Sequence, residues 1–89
     1  MGPKKYRKMV EAVQWTGENE EEVRRLAGFR VLKISSERMN YLLLWNMTGD
    51  YIADPGDFIV KAADDTLYPC KPDIFRSMYE ECNNGTTDN

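Results

Sequence analysis

Asp54-Pro55-Gly56-Asp57-Phe58-Ile59-Val60-Lys61, continued by Leu67-Tyr68-Pro69-Cys70-Lys71-Pro72-Asp73-Ile74-Phe75, is the stretch whose reading decides the fold. Pro55 presets φ for the first central position of a β-turn, and Gly56 supplies the positive φ that a type II turn needs next. Phe58-Ile59-Val60 is a β-prone run. Pro69 cannot donate to a ladder, which places residues 67–70 at a sheet edge. Pro72 suits the first turn of a helix, where its missing N–H costs nothing. The stretch therefore reads as turn, strand, turn, edge strand and helix start. Pro55, Gly56 and Pro72 are structural residues in this reading, and they speak for a fold rather than a reaction.

Upstream, residues 6–15 alternate Met9, Glu11, Val13 and Trp15 against Val10, Ala12 and Gln14. Neither set is wholly apolar, so the pattern predicts a central strand with both faces partly covered. After Thr16-Gly17, Asn19 is placed as an N-cap with Glu22 completing a capping box. Glu20, Glu21 and Glu22 suit the positive end of the helix dipole, Val23, Leu26 and Ala27 form an apolar stripe, and Gly28 closes the helix at C′. That account explains the acidic run without a metal, because consecutive Glu side chains on a helix point in different directions.

Residues 29–35 read as a strand. The run Tyr41-Leu42-Leu43-Leu44-Trp45 reads as another, buried on both faces. Gly49 marks a turn, and Tyr51-Ile52-Ala53 is a short strand that the Pro55-Gly56 turn joins to the next. Ile74, Phe75, Met78, Tyr79 and Cys82 recur on one face of a helix over residues 72–82. The fold class expected is α+β, in the order β-α-β-β-β-β-β-α. Its sheet is mostly antiparallel and curled, with four to six strands, and two short helices cover it. Residues 1–5 are expected to be a flexible N-terminus, 6–82 a single domain, and 83–89 a polar, disordered tail.

With 89 residues, a net charge of −3 and no histidine, the chain lacks the commonest general base and metal ligand. Cys70 and Cys82 are the only cysteines, and with no secretory h-region in view they are expected to be free thiols in a cytoplasmic protein. Lys71 beside Cys70 could lower its pKa, but a nucleophile without a base is a poor catalyst. Asp50, Asp54, Asp57, Asp64 and Asp65 match no ion-binding loop and are read as turn residues. No catalytic residue, metal or cofactor is assigned, and no span is long enough to cross a membrane. The binding candidates are Trp15, Asp57, Lys61, Tyr68 and Lys71. The strand aromatics Trp15, Trp45, Tyr51, Phe58 and Tyr68 read first as core and rim packing, and with Lys61 and Lys71 nearby they could also stack a base and pair a phosphate. A basic face from Lys4, Lys5, Arg7 and Lys8 is the nucleic-acid reading, which the net charge disfavours.

Three blocks carry a resemblance. Tyr6-Arg7-Lys8 with Val10-Glu11-Ala12-Val13-Gln14-Trp15-Thr16-Gly17 resembles the opening of a family of small phage and prophage proteins. Residues 55–61 resemble its central PGDY-type motif, with Phe58 where Tyr is usual. Tyr68-Pro69-Cys70-Lys71-Pro72-Asp73-Ile74-Phe75, with Tyr79-Glu80, resembles its closing signature. Ala63-Asp64-Asp65-Thr66 departs from the Gly-containing turn that many relatives carry. The resemblance implies a setting, that of phage accessory genes, and no reaction. It leads to the expectation of a non-catalytic protein that binds a host or phage macromolecule, with inhibition of bacterial antiviral defence as the candidate role. The alternative is a protein that sequesters a nucleotide or signalling molecule.

Overall fold

The computed structural model describes residues 2–6 and 10–78. Its organising feature is the turn at Pro55-Gly56. Asp57 N–H donates to the Asp54 carbonyl at 3.0 Å, and Gly56 has φ of +99°, as a type II turn requires. The same turn receives the strand that precedes the first helix. Trp15 N–H donates to the Asp57 carbonyl at 2.8 Å, and Gly56 N–H donates to the Trp15 carbonyl at 2.6 Å.

The elements run β1 (Lys4–Tyr6), β2 (Val10–Gln14), α1 (Glu20–Ala27), β3 (Val31–Ser35), β4 (Asn40–Leu44), β5 (Tyr51–Ala53), β6 (Phe58–Lys61), β7 (Leu67–Cys70) and α2 (Pro72–Met78). The fold is α+β and every strand pair is antiparallel. One expectation is corrected: there are two sheets, ordered β1-β2-β6-β7 and β3-β4-β5, rather than one curled sheet. The reason lies in the turn. A tight hairpin favours I′ or II′ turns, whose first central residue has positive φ, whereas Pro55 fixes φ near −65°. The turn therefore separates β5 from β6, and β6 pairs with the distant β2 instead. A second correction concerns Lys4 and Lys5, expected in a flexible terminus: they belong to β1, paired to β2. Arg7, Lys8, Tyr79, Cys82 and the tail over residues 83–89 lie outside the described residues.

The four-stranded sheet is covered on both faces, as the mixed pattern of residues 10–15 predicts. On one face Val13, Trp15, Ile59 and Leu67 meet Val23, Leu26 and Ala27 of α1 and Val31, Leu42, Leu44 and Ala53 of the three-stranded sheet. On the other, Val10, Ala12, Phe58 and Val60 pack under Phe75 of α2. The Phe58 and Phe75 rings stack at 4.1 Å, and the Arg76 guanidinium lies 5.7 Å from the Phe58 centroid. Asn46 ties the two sheets together. Its side-chain amide donates to the Leu67 carbonyl at 2.7 Å and accepts from Leu67 N–H at 2.8 Å, standing in for a missing strand residue.

Gly28, with φ of +64°, ends α1, and its N–H donates to the Arg24 carbonyl at 2.8 Å. The capping box at the other end is not formed. Asn19 makes no side-chain cap bond. Its Oδ1 accepts from Thr16 N–H at 2.9 Å, and its Nδ2 donates to the Gln14 carbonyl and to Glu22 Oε1. The side chain is committed to closing the loop that leads into the helix.

Candidate protein-binding face

The residues expected to form a stacking pocket do not converge. Trp15 is 0% exposed, and its indole N–H donates to the Asn40 carbonyl at 3.0 Å, so it is a core residue with its polar handle satisfied. Tyr68 pairs with Val60 on the opposite face of the four-stranded sheet, half-buried against the cluster around Phe75. Lys61 reaches Asp65 at 3.6 Å. A strand's alternation separates Trp15 from Tyr68, and no single cavity can use both.

Asp57 and Lys71 do meet, in a structural role. Asp57 is 4% exposed. Its Oδ2 accepts from Asp54 N–H at 2.9 Å, while its Oδ1 pairs with Lys71 Nζ at 2.9 Å. Lys71 also reaches Asp54 Oδ2 at 3.1 Å. The two carboxylates, Asp57 foremost, raise the Lys71 pKa above its ordinary value. One cation thus pins the β5–β6 turn to the residue preceding α2. Lys71 turned toward the aspartates does not activate Cys70. Burial, with Asp57 and Asp73 adding repulsion, pushes the Cys70 thiol up, the reverse of the sequence expectation.

An open depression of about 490 Å³ lies at the start of α1, lined by Glu18, Asn19, Glu20, Glu21, Glu22, Arg25 and Lys33. None of the binding candidates lines it. Among the described residues no group of three or more His, Cys, Asp or Glu side chains could hold a metal ion.

The surface that stands out is the outer face of the three-stranded sheet. The register pairs Leu32 with Leu43 and Ile52 in one row, and Ile34 with Tyr41 in the next. The ladder continues past both ends of β4: Ser36 N–H donates to the Met39 carbonyl, and Trp45 N–H to the Arg30 carbonyl. Alternation therefore sets Met39, Tyr41, Leu43 and Trp45 in one line down the central strand, flanked by Leu32 and Ile34 on β3 and Ile52 on β5. Leu32 is 45% exposed, Ile34 39% and Ile52 51%. Within that outline there is no charged side chain.

The expectation that residues 41–45 are buried on both faces is thus half right. Leu42 and Leu44 are buried in the core, while Tyr41 and Leu43 are only partly covered. β3 makes the point sharper. It turns Leu32 and Ile34 outward, while on its other face only Val31 is buried and Lys33 and Ser35 stay exposed. A shift of one residue would exchange the two faces of the strand. Half-solvated antiparallel sheets show the opposite bias, apolar inward and polar outward. A contiguous apolar patch of this kind marks an interaction site.

No family model, curated protein or solved structure matches the chain. No described helix is long and apolar enough to cross a membrane.

Proposed function

We propose that this chain is a non-catalytic phage or prophage accessory protein that acts in the bacterial cytoplasm by binding a host or phage protein. The contact surface in this reading is the outer face of β3-β4-β5, and blocking an antiviral defence component is the role that fits it best. One observation carries the proposal: seven apolar side chains lie contiguous on a sheet face that should be polar, five of them exposed and Tyr41 and Leu43 half-buried between them. Their chemistry supports a protein partner, because aromatic residues and Met are enriched at interfaces while acidic residues and Lys are depleted. Trp45 and Tyr41 are of the types that dominate binding energy when an interface closes over them. The phage setting rests on the three-block resemblance alone.

The test is native mass spectrometry of the tagged protein recovered gently from bacterial lysate, run beside Leu43→Asp. A host or phage subunit held by the wild type and lost from the variant is the expected result. The same subunit retained by the variant would move binding off this face. A small added mass without any subunit would replace the proposal with sequestration of a nucleotide or signalling molecule.

A further inference from the structure

We infer that Phe29, Met47 and Trp45 form a rigid apolar anchor that inserts into an apolar, basic-rimmed pocket of the partner protein. The inference rests on the reading of the outer face of β3-β4-β5 as a protein-binding surface. It adds an anchor at one end of that face and the chemistry of what receives it. Phe29 is 90% exposed and Met47 is fully exposed. One such side chain standing alone needs no explanation. Here two of them flank a single rung of the ladder. Trp45 N–H donates to the Arg30 carbonyl at 2.9 Å, Phe29 precedes Arg30, and Met47 follows Trp45 by two residues.

The backbone holds both side chains out. Phe29 follows Gly28, whose φ of 64° and ψ of −130° suit the first central position of a type II′ turn. Arg30 N–H closes that turn on the Ala27 carbonyl at 3.2 Å. Met47 is the first central residue of the turn over residues 46–49, which Gly49 N–H closes on the Asn46 carbonyl at 3.2 Å. Asn at the first position and Gly at the last are favoured in a type I turn. Asn46 is itself fixed by its two bonds to Leu67. Central turn positions ordinarily carry Gly, Pro, Asn, Asp or Ser, and these carry Phe and Met. A side chain that projects from a closed turn is fully buried only by a concave surface. The backbone that carries it is already ordered, which lowers the cost of binding.

Charge around the anchor sets the rim. Asp50 accepts from Asn46 N–H at 3.4 Å, and Asp64, in the β6–β7 turn, accepts from Thr66 N–H at 3.0 Å. Arg30 brings that turn to the same end of the molecule through its bond to the Asp65 carbonyl at 2.8 Å, and Lys61 pairs with the Asp65 carboxylate. Among the described residues neither Asp50 nor Asp64 has an ion-pair partner. Two carboxylates therefore stand uncompensated beside the apolar tip. A pocket rimmed by Lys or Arg complements them. The same carboxylates oppose docking on an anionic membrane, which attracts basic residues.

The probe is amino-β-cyclodextrin, an apolar cavity ringed by ammonium groups, titrated into the protein with amide shifts as the readout. Ile74, on α2 at the far side of the four-stranded sheet, is the exposed apolar control. The expected shifts are confined to residues 28–30 and 45–49. Phe29→Ser and Met47→Ser should each weaken binding roughly tenfold or more, and Ile74→Ser should leave it unchanged. Sulfated β-cyclodextrin, whose rim is anionic, should bind more weakly. No shift at the anchor, or shifts as large around Ile74, overturns the inference. Binding to phosphatidylglycerol vesicles that Phe29→Ser abolishes replaces the pocket with a lipid surface. In native mass spectrometry from lysate, a subunit lost from Leu43→Asp and also from Phe29→Ser with Met47→Ser is expected. A subunit lost from Leu43→Asp but retained by that double variant sinks the anchor alone and leaves the binding face standing. The opposite pattern sinks the face and leaves the anchor.

Discussion

At the scale of single residues, the turn at positions 54–57 concentrates the consequences. Gly56 has open space around its α-carbon but a φ of +99°, so Gly56→Ala is penalised by backbone conformation alone. We expect a loss of about 1–2 kcal/mol in urea unfolding. Asp57→Ala strips a buried acceptor from Asp54 N–H and the partner from Lys71, which should cost about 2–3 kcal/mol, with Asp57→Asn retaining part of it. Lys71 gives a pH signature. Its folded pKa is raised above the ordinary 10.5, so the stability it contributes is fully present below that value and is lost as pH climbs through the raised one. Lys71→Met should be less stable than wild type at neutral pH, and the deficit should shrink in strongly alkaline buffer. A deficit independent of pH would mean that the methylene stem, not the ammonium, does the holding. These roles were only partly visible in the sequence. The type II turn follows from Pro55 and Gly56 directly, whereas Asp57 and Lys71 are 14 positions apart and meet because β6 and β7 fold back on each other.

At the scale of elements, the strands and helices were legible wherever a local rule applied. β2 as a two-faced strand, Pro69 at the sheet edge, Gly28 at the end of α1 and Pro72 at the start of α2 all follow from pattern and backbone chemistry. The division into two sheets was not read from the sequence, where consecutive short strands pointed to one curled sheet, although Pro55 at the first central position argues against a tight hairpin between β5 and β6. What the sequence could not show is which side of β3-β4-β5 is covered. Apolar residues stand at both parities of these strands, so periodicity alone allows burial of either face or of both. The two faces should differ sharply in energetics. Leu42→Ala empties a core position and should cost about 2–5 kcal/mol. Leu32→Thr, on the outer face, should shift stability by no more than about 0.5 kcal/mol. Equal losses would show that the outer face is already packed in the isolated protein.

At the scale of the whole molecule, the layers account for what is exposed. α2 closes one side of the four-stranded sheet, and α1 with the inner face of β3-β4-β5 closes the other. That leaves the last sheet face of the stack without a layer of its own. Supplying that layer from a partner protein is the central claim. The most direct test places a photo-crosslinking side chain at Ile52 and, separately, at Ile74, in protein expressed in bacterial cells. The two sites are matched in exposure at 51% and 50% but lie on opposite sides of the molecule. Light-dependent protein adducts from position 52 and few or none from position 74 are the expected result. No adduct from position 52, or adducts equally abundant from both, would contradict the assignment of the outer face as a protein-binding surface.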